Sequence, residues 1–356
     1  MPRRRTRTVK VGALFLGHEH PIRVQSMTTT DTHDVAGTVA QIEALAAAGC
    51  EIVRVTVNHD RAADALPEIR RRCPLPLVAD VHFTHRLALR AIAAGVDKVR
   101  LNPGNVGSLE RVREVVRAAQ DAGVSLRIGV NSGSVEKDLL EKHGYPKPAC
   151  MVESALRHVE WLEECGFRDI VVSIKSTNVQ WMIEGYRLWA RSSDVPTHLG
   201  VTEAGLPGYG TLKSAIGIGS LLCDGIGDTI RVSLTGDKAL EMHAAFDILK
   251  ASGRRVTSPE LIACPECGRI QIDLKKIVNE VKERIRDVKA PIQISILGCA
   301  VNGPGEAAEA DIGIAGERGQ GILFRKGVEI RRVKEAVMVD ELEKEVRALA
   351  AERNGA

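Results

Sequence analysis

Between about residue 20 and residue 250 this chain repeats one unit: a helix-like segment, a glycine, then a short β-branched run. Gly49, Gly95, Gly123, Gly166 and Gly227 stand before the runs at 52–57, 98–101, 126–130, 170–174 and 229–234. A glycine directly after a helix suits the left-handed cap that opens a tight αβ loop. Adding 23–25, 77–81 and 198–201 gives eight candidate strands. Eight successive βα units predict an α/β fold, a (β/α)8 barrel of the TIM type. The competing arrangement is an open doubly wound sheet. Its glycine fingerprint is missing, because Gly217-Ile218-Gly219 lacks a third glycine at the required spacing.

The strands carry a second pattern. Buried parallel strands should be nearly continuous apolar runs. Here polar residues alternate near their C-terminal ends: Arg54 and Thr56; Asp80 and His82; Arg100 and Asn102; Arg127 and Asn131; Ser173 and Lys175; His198 and Thr202, with Glu203 beside it; Arg231 and Ser233. A period of two places such residues on one side of a strand. In a barrel they gather at the C-terminal mouth, where such enzymes do chemistry. Arg54, Arg100, Arg127, Lys175 and Arg231 are cations, and burying five like charges without a counter-ion is prohibitive. A ligand with several negative oxygens resolves this, and phosphate suits arginine forks best. The other resolution pairs some of them with Asp80 or Glu203.

The barrel pattern fades after Leu249. Residues 1–250 are read as a substrate-binding barrel, 251–261 as a connector and 262–356 as a smaller α/β domain. In that domain an apolar stripe over 275–288 predicts a helix, 292–297 reads as a strand and 340–350 as a closing helix. It also holds Cys264-Pro265-Glu266-Cys267 and, after Gly298-Cys299, a Gly303-Pro304-Gly305 turn leading to Glu306. Three readings compete: a structural zinc, which usually takes a fourth Cys or His; a disulfide; and an iron–sulfur cluster on three thiolates, with Glu306 the natural fourth ligand. A carboxylate holds a soft centre less firmly than a thiolate, so it would leave one iron the easiest to open. The other five cysteines, Cys50, Cys73, Cys150, Cys165 and Cys223, have no ligand-like spacing and are expected in the core. Unpaired thiols suit a reducing compartment.

Composition narrows the class further. A net charge of +3 and 3% aromatic residues give neither the field nor the stacking platforms of a nucleic-acid binder. The basic start, Pro2-Arg3-Arg4-Arg5-Thr6-Arg7, reads as a solvated tail, with no apolar stretch after it to make a secretory signal. Nothing approaches the ~20 apolar residues of a membrane span. A soluble, cytoplasmic protein is expected. An eighth barrel helix ends at the N-terminal face, and a connector of 11 residues spans at most ~35–40 Å. Reaching the mouth of a partner barrel strains it less than reaching its own, which predicts a head-to-tail homodimer with shared active sites.

Several segments together resemble the 4-hydroxy-3-methylbut-2-enyl diphosphate synthase family of the methylerythritol phosphate isoprenoid pathway. They are Val24-Gln25-Ser26-Met27-Thr28; Arg100-Leu101-Asn102-Pro103-Gly104-Asn105; Arg127-Ile128-Gly129-Val130-Asn131 with Gly133-Ser134; Gly200-Val201-Thr202-Glu203-Ala204-Gly205; Lys213-Ser214-Ala215-Ile216-Gly217; the run from Gly225 to Ser233; and both cysteine segments. One departure, Gly17-His18-Glu19-His20 in place of a Gly-Gly turn, touches only an early loop. The resemblance implies a barrel that binds a cyclic diphosphate and a [4Fe–4S] cluster on Cys264, Cys267, Cys299 and Glu306. It implies reductive ring opening of 2-C-methyl-D-erythritol 2,4-cyclodiphosphate, electrons from ferredoxin or flavodoxin, and a cluster domain that covers the partner's barrel. Arg54, Arg100, Arg127, Lys175 and Arg231 would clamp the diphosphate, with Asn102, Asn131 and Ser233 adding hydrogen bonds. Glu203 is the candidate proton donor and His82 the second. Two other classes remain: an iron–sulfur sensor that binds a phosphorylated ligand without turnover, and a zinc-bearing barrel that hydrolyses or isomerises one. Chemistry with S-adenosylmethionine is disfavoured, because the chain has no Cys-x3-Cys-x2-Cys triplet.

Overall fold

The computed structural model describes residues 1–81, 84–101, 109–145, 147–301 and 309–354. The chain divides into two compact units, Met1–Arg255 and Val256–Ala356. The first opens with an antiparallel hairpin, β1 (Val9–Val11) and β2 (Leu14–Leu16). Eight parallel strands follow: β3 (Arg23–Met27), β4 (Ile52–Val57), β5 (Leu77–Val81), β6 (Lys98–Leu101), β7 (Ser125–Asn131), β8 (Ile170–Lys175), β9 (His198–Leu199) and β10 (Thr229–Ile230). Their order is β8-β7-β6-β5-β4-β3-β10-β9. A parallel bridge from Val172 to Thr197 joins the two ends of that order, which makes a barrel rather than an open sheet.

Helices alternate with the strands: α1 (Val35–Ala47), α2 (Asp60–Arg72), α3 (His85–Ala93), α4 (Leu109–Ala122), a short α5 (Lys137–His143), α6 (Pro148–Glu164), α7 (Val179–Ser192), α8 (Tyr209–Cys223) and α9 (Lys238–Ala251). Alternation along each strand explains the layering. Val53, Val55 and Val57 of β4 join the core under the helices, while Arg54 between them is buried on the other side. At the thin β8–β9 seam, Tyr186 of α7 braces both strands, donating to the His198 carbonyl (2.6 Å) and accepting from Ile174 N–H (3.0 Å).

Two expected strands are shorter than the apolar runs suggest. Ladder pairing stops at Leu199 and Ile230, although the runs continue to 201 and 234. Arg231 N–H still donates to the Leu199 carbonyl (2.9 Å), and a side chain at Gly200 would come within 2.7 Å of the Arg231 carbonyl.

The basic N-terminus is not a solvated tail. Arg3 donates to the carbonyls of His18, Gly17 and Gly227 and to Asp228. Arg4 donates to the carbonyls of Ser193 and Val195, and Arg7 to Asp194 and Glu163. Of these arginines only Arg5 is exposed. These arginines anchor the hairpin, whose Val9, Val11 and Leu16 pack on Ile52, Val78 and Val171 inside the strands. The expectation failed because charge density alone ignores loop carbonyls and carboxylates brought there by the fold. Of the five scattered cysteines, Cys50, Cys73 and Cys150 are buried and Cys165 half-buried, whereas Cys223 is exposed at the end of α8.

The second unit is a five-stranded sheet in chain order: β11 (Glu260–Ala263), β12 (Gln293–Leu297), β13 (Ile312–Glu317), β14 (Gln320–Arg325) and β15 (Val328–Lys334). β11, β12 and β13 are parallel; β14 and β15 complete an antiparallel meander. α10 (Leu274–Arg284) and α11 (Met338–Asn354) pack together with Ile294, Ile296, Ile312 and Ile314. α10 is shorter than its apolar stripe, since Ile285 and Val288 reach the core from beyond its end. Glu260 and Leu261, read as connector, already lie in β11.

Candidate functional site

The interior of the barrel is charged. Neighbouring strands place Arg54 beside Val78, Asp80 beside Arg100, Arg100 beside Arg127, and Asn131 beside Lys175. Arg54, Asp80, Lys98, Arg100, Arg127 and Lys175 are all buried. Gly129 leaves room for Arg100, because a side chain there would lie 2.7 Å from its Nε. Asp80 answers two of the cations, at 3.4 Å from Arg54 and 3.2 Å from Arg100. Arg54 also donates to the Met27 sulfur through Nε (3.2 Å) and Nη2 (2.9 Å).

Among the described residues Lys98, Arg127, Lys175 and Arg231 have no ion-pair partner. Lys98 Nζ, Arg127 Nε and Nη1, Arg231 Nε and His198 Nε2 are buried without a hydrogen bond. Burial, reinforced by neighbouring cations, lowers the proton affinity of the group. Lys98 is pushed down to about 7, Arg54 to about 10, and Lys175, Arg127 and His198 well below their ordinary values. Such an interior is stabilised by an anion that brings several oxygens.

Arg54, Arg100, Arg127, Asn131 and Lys175 therefore converge as the alternation predicts, while Arg231 and Ser233 lie just past β10, partly exposed. Glu203 lies four residues beyond β9, exposed, with φ of 51°. A non-glycine residue in that region is uncommon and strained, a feature enriched at working sites. His82 and Asn102 lie outside the described residues, as does Glu306. Lys98 was missed although its signal was present: Lys98-Val99-Arg100 has the same alternation one step deeper. Glu241 was missed because its signal is helical. It is fully buried and accepts from Ser26, Leu234 N–H and Lys238.

In the second unit Cys264 follows β11 and Cys299 follows β12. These are parallel neighbours with Ala263 beside Ile296, so both thiols leave the same end of the sheet. Gly298 N–H points to Cys264 Sγ at 3.3 Å, and the absent side chain of Gly298 keeps the approach open between Ile270 and that sulfur. Cys267 is exposed, and its thiol is held below the ordinary value by Arg269, through a backbone N–H and then its side chain. Glu266 takes φ of 55° within the Cys-x-x-Cys turn. Cys264 and Cys299 at one sheet end, with Cys267 in the turn that follows β11, make a donor set suited to a soft metal centre.

A barrel with a cationic interior, joined to a unit that presents cysteine thiols, defines a class: a two-unit protein equipped for an anionic ligand. Two family descriptions match the chain, the GcpE TIM-barrel domain over residues 6–246 and the GcpE protein C-terminal domain over 260–348. The chain belongs to the GcpE family. Relatives from Geobacillus thermodenitrificans and Bacillus subtilis are 56% and 54% identical over 350 residues, 98% of this chain and 94% and 93% of theirs. Both are named 4-hydroxy-3-methylbut-2-en-1-yl diphosphate synthase (flavodoxin). Dihydropteroate synthases from Xanthomonas albilineans and Vibrio fischeri share the fold alone. Each has a TM-score of 0.50, at 16% and 13% identity, covering 68% and 69% of this chain and 96% and 97% of theirs. Among the described residues no helix is long and apolar enough to cross a membrane.

Proposed function

We propose that this protein opens 2-C-methyl-D-erythritol 2,4-cyclodiphosphate reductively to (E)-4-hydroxy-3-methylbut-2-enyl diphosphate, in the cytoplasm, with electrons from flavodoxin. The observation that carries the reading is the set of buried, partnerless cations inside the barrel, taken with relatives named for that product and donor. Arg54, Arg100, Arg127, Lys175 and Arg231, with Asn102, Asn131 and Ser233, hold the two phosphate groups. Because Arg54, Arg100, Arg127, Asn131 and Lys175 sit on strands, they keep the phosphate oxygen in place as its bond to carbon breaks and charge develops on it. Asp80 keeps Arg54 and Arg100 oriented. Cys264, Cys267, Cys299 and Glu306 hold a [4Fe–4S] cluster, which supplies electrons singly. Glu203 donates the proton with which the departing hydroxyl leaves as water.

The decisive measurement is an electron paramagnetic resonance spectrum of anaerobic, dithionite-reduced protein with and without the cyclic diphosphate. A cluster signal that changes with substrate is expected. A signal indifferent to substrate would favour the sensor reading, and a colourless protein after reconstitution would favour the zinc reading. Glu203→Gln should retain the cluster and substrate binding but lose most turnover; near-normal turnover removes Glu203 from the chemistry.

The protein acts as a homodimer in this reading, the thiolate unit of one copy serving the barrel of the other. An exposed apolar run at Leu206, Tyr209, Leu212 and Ile216 supports an association surface. Mixing inactive Arg127→Met and Cys267→Ser proteins should restore activity through hybrid dimers that contain one intact site. A mixture that stays inactive after subunit exchange argues against shared sites.

A further inference from the structure

Three metal-ligating side chains meet at the barrel rim, apart from the cationic interior and the thiols. Asp31 and His33 lie between β3 and α1, and His59 immediately precedes α2. The loops leave side by side because β3 and β4 are paired, with Met27 beside Arg54. Asp31 Oδ1 lies 2.9 Å from His33 Nδ1 and 3.3 Å from His59 Nε2. One ligand atom from each residue falls within 4.8 Å of the others, the single such triad among the described residues.

The backbone beneath this triad is held in place. Thr32 Oγ1 donates to the Thr56 carbonyl at the end of β4 (2.6 Å), and Asp34 N–H donates to the Asp31 carbonyl (3.0 Å). A cleft of about 340 Å³ opens over the three side chains, with Asp60 and Arg61 completing its lining. Asp60 is occupied by Arg86 and Arg90, so it does not compete for the triad.

We propose that Asp31, His33 and His59 form a second metal site, for a divalent first-row transition ion such as zinc, on the rim of the barrel mouth. Two imidazoles and one carboxylate select zinc, cobalt or nickel over magnesium or calcium. Bonds of about 2.0–2.1 Å in a tetrahedron set ligand atoms roughly 3.3 Å apart, which the two contacts to Asp31 approach before any adjustment. The cleft leaves the fourth position for water or an anion. One feature limits affinity. His59 Nδ1 accepts the Ala62 N–H at 3.0 Å and caps α2, so Nε2 carries the ring proton in the metal-free protein. Coordination through Nε2 moves that proton to Nδ1 and breaks the cap, the opposite of a supporting outer shell.

The test is calorimetric titration of zinc chloride into anaerobic, cluster-loaded protein, where the proposed cluster cysteines are occupied. One zinc per chain is expected to bind, weakened more than about tenfold by His33→Gln. That substitution leaves the α2 cap intact. Zinc should also raise the unfolding midpoint of the wild type and not that of the variant. No saturable binding up to about 1 mM zinc, or equal affinity in the two proteins, would overturn the assignment.

Discussion

At the closed end of the barrel Arg3, Arg4 and Arg7 meet carbonyls and carboxylates already in place. Inside it, Arg54 and Arg100 share Asp80 while Lys98, Arg127 and Lys175 meet no carboxylate among the described residues. The same residue types thus have opposite accounting within one unit. Where the guanidinium groups are answered by protein oxygens, the charge serves the fold. Where buried donors are left over, their desolvation is a standing cost that only a ligand removes, and the fold is less stable for keeping them.

Arg127→Met breaks this comparison most sharply. Arg127 is 1% exposed, with Nε and Nη1 unpartnered. Removing its charge should weaken binding of the cyclic diphosphate by at least about 100-fold, yet raise the stability of the ligand-free barrel. Calorimetry gives the first quantity and urea unfolding the second. Lost binding with lost stability would mean that Arg127 is structural.

Arg3→Met tests the other end and should give the mirror image. Asp228 is 2% exposed and accepts from Arg3, Thr6 and Thr197. Without Arg3 it keeps its charge and loses its counter-ion, at a cost of about 3 kcal/mol. Diphosphate affinity of the folded protein should not change. A variant that loses affinity while keeping its stability would erase the distinction between the ends.

How much of this was legible follows from what each signal measures. Glycine joints and β-branched runs report local backbone preference, and they located all eight barrel strands. Period-two polarity reports which side of a strand a residue faces, and it found Arg54, Arg100, Arg127 and Lys175. Neither reports partners. The basic run from Arg3 to Arg7 looks like a tail unless Asp228, Asp194 and the Ser193 and Val195 carbonyls, 187 to 225 residues away, are known to be adjacent. Glu241 reaches Ser26 from a helix 215 residues away, so no strand pattern could reveal it. In the second unit the cysteine spacing was visible, but the meander β13–β15 was not, because β13 and β14 are buried nearly throughout and β15 is mostly exposed, so none carries a clean period of two.

A further prediction isolates one charge. Lys98 is fully buried, and its Nζ has no hydrogen bond. Its proton affinity falls from the ordinary 10.5 to about 7, through burial first and then Arg127 and Arg54. Between those values the unfolded chain holds a proton that the folded one releases, so stability rises with pH by up to about 1.4 kcal/mol per unit. Below about 7 both states hold the proton and this contribution to the slope vanishes. Lys98→Met should be the more stable protein at pH 7, with a flatter profile from pH 7 to 10. Trp161, Trp181 and Trp189 all lie in the first unit, so their fluorescence in urea follows that unit alone. Saturating cyclic diphosphate should flatten the wild-type profile as well, because its phosphates restore the ammonium form. A wild-type slope that survives saturation would mean that Lys98 does not feel the ligand, which would confine the anion site to the layer of Arg54, Arg100 and Arg127.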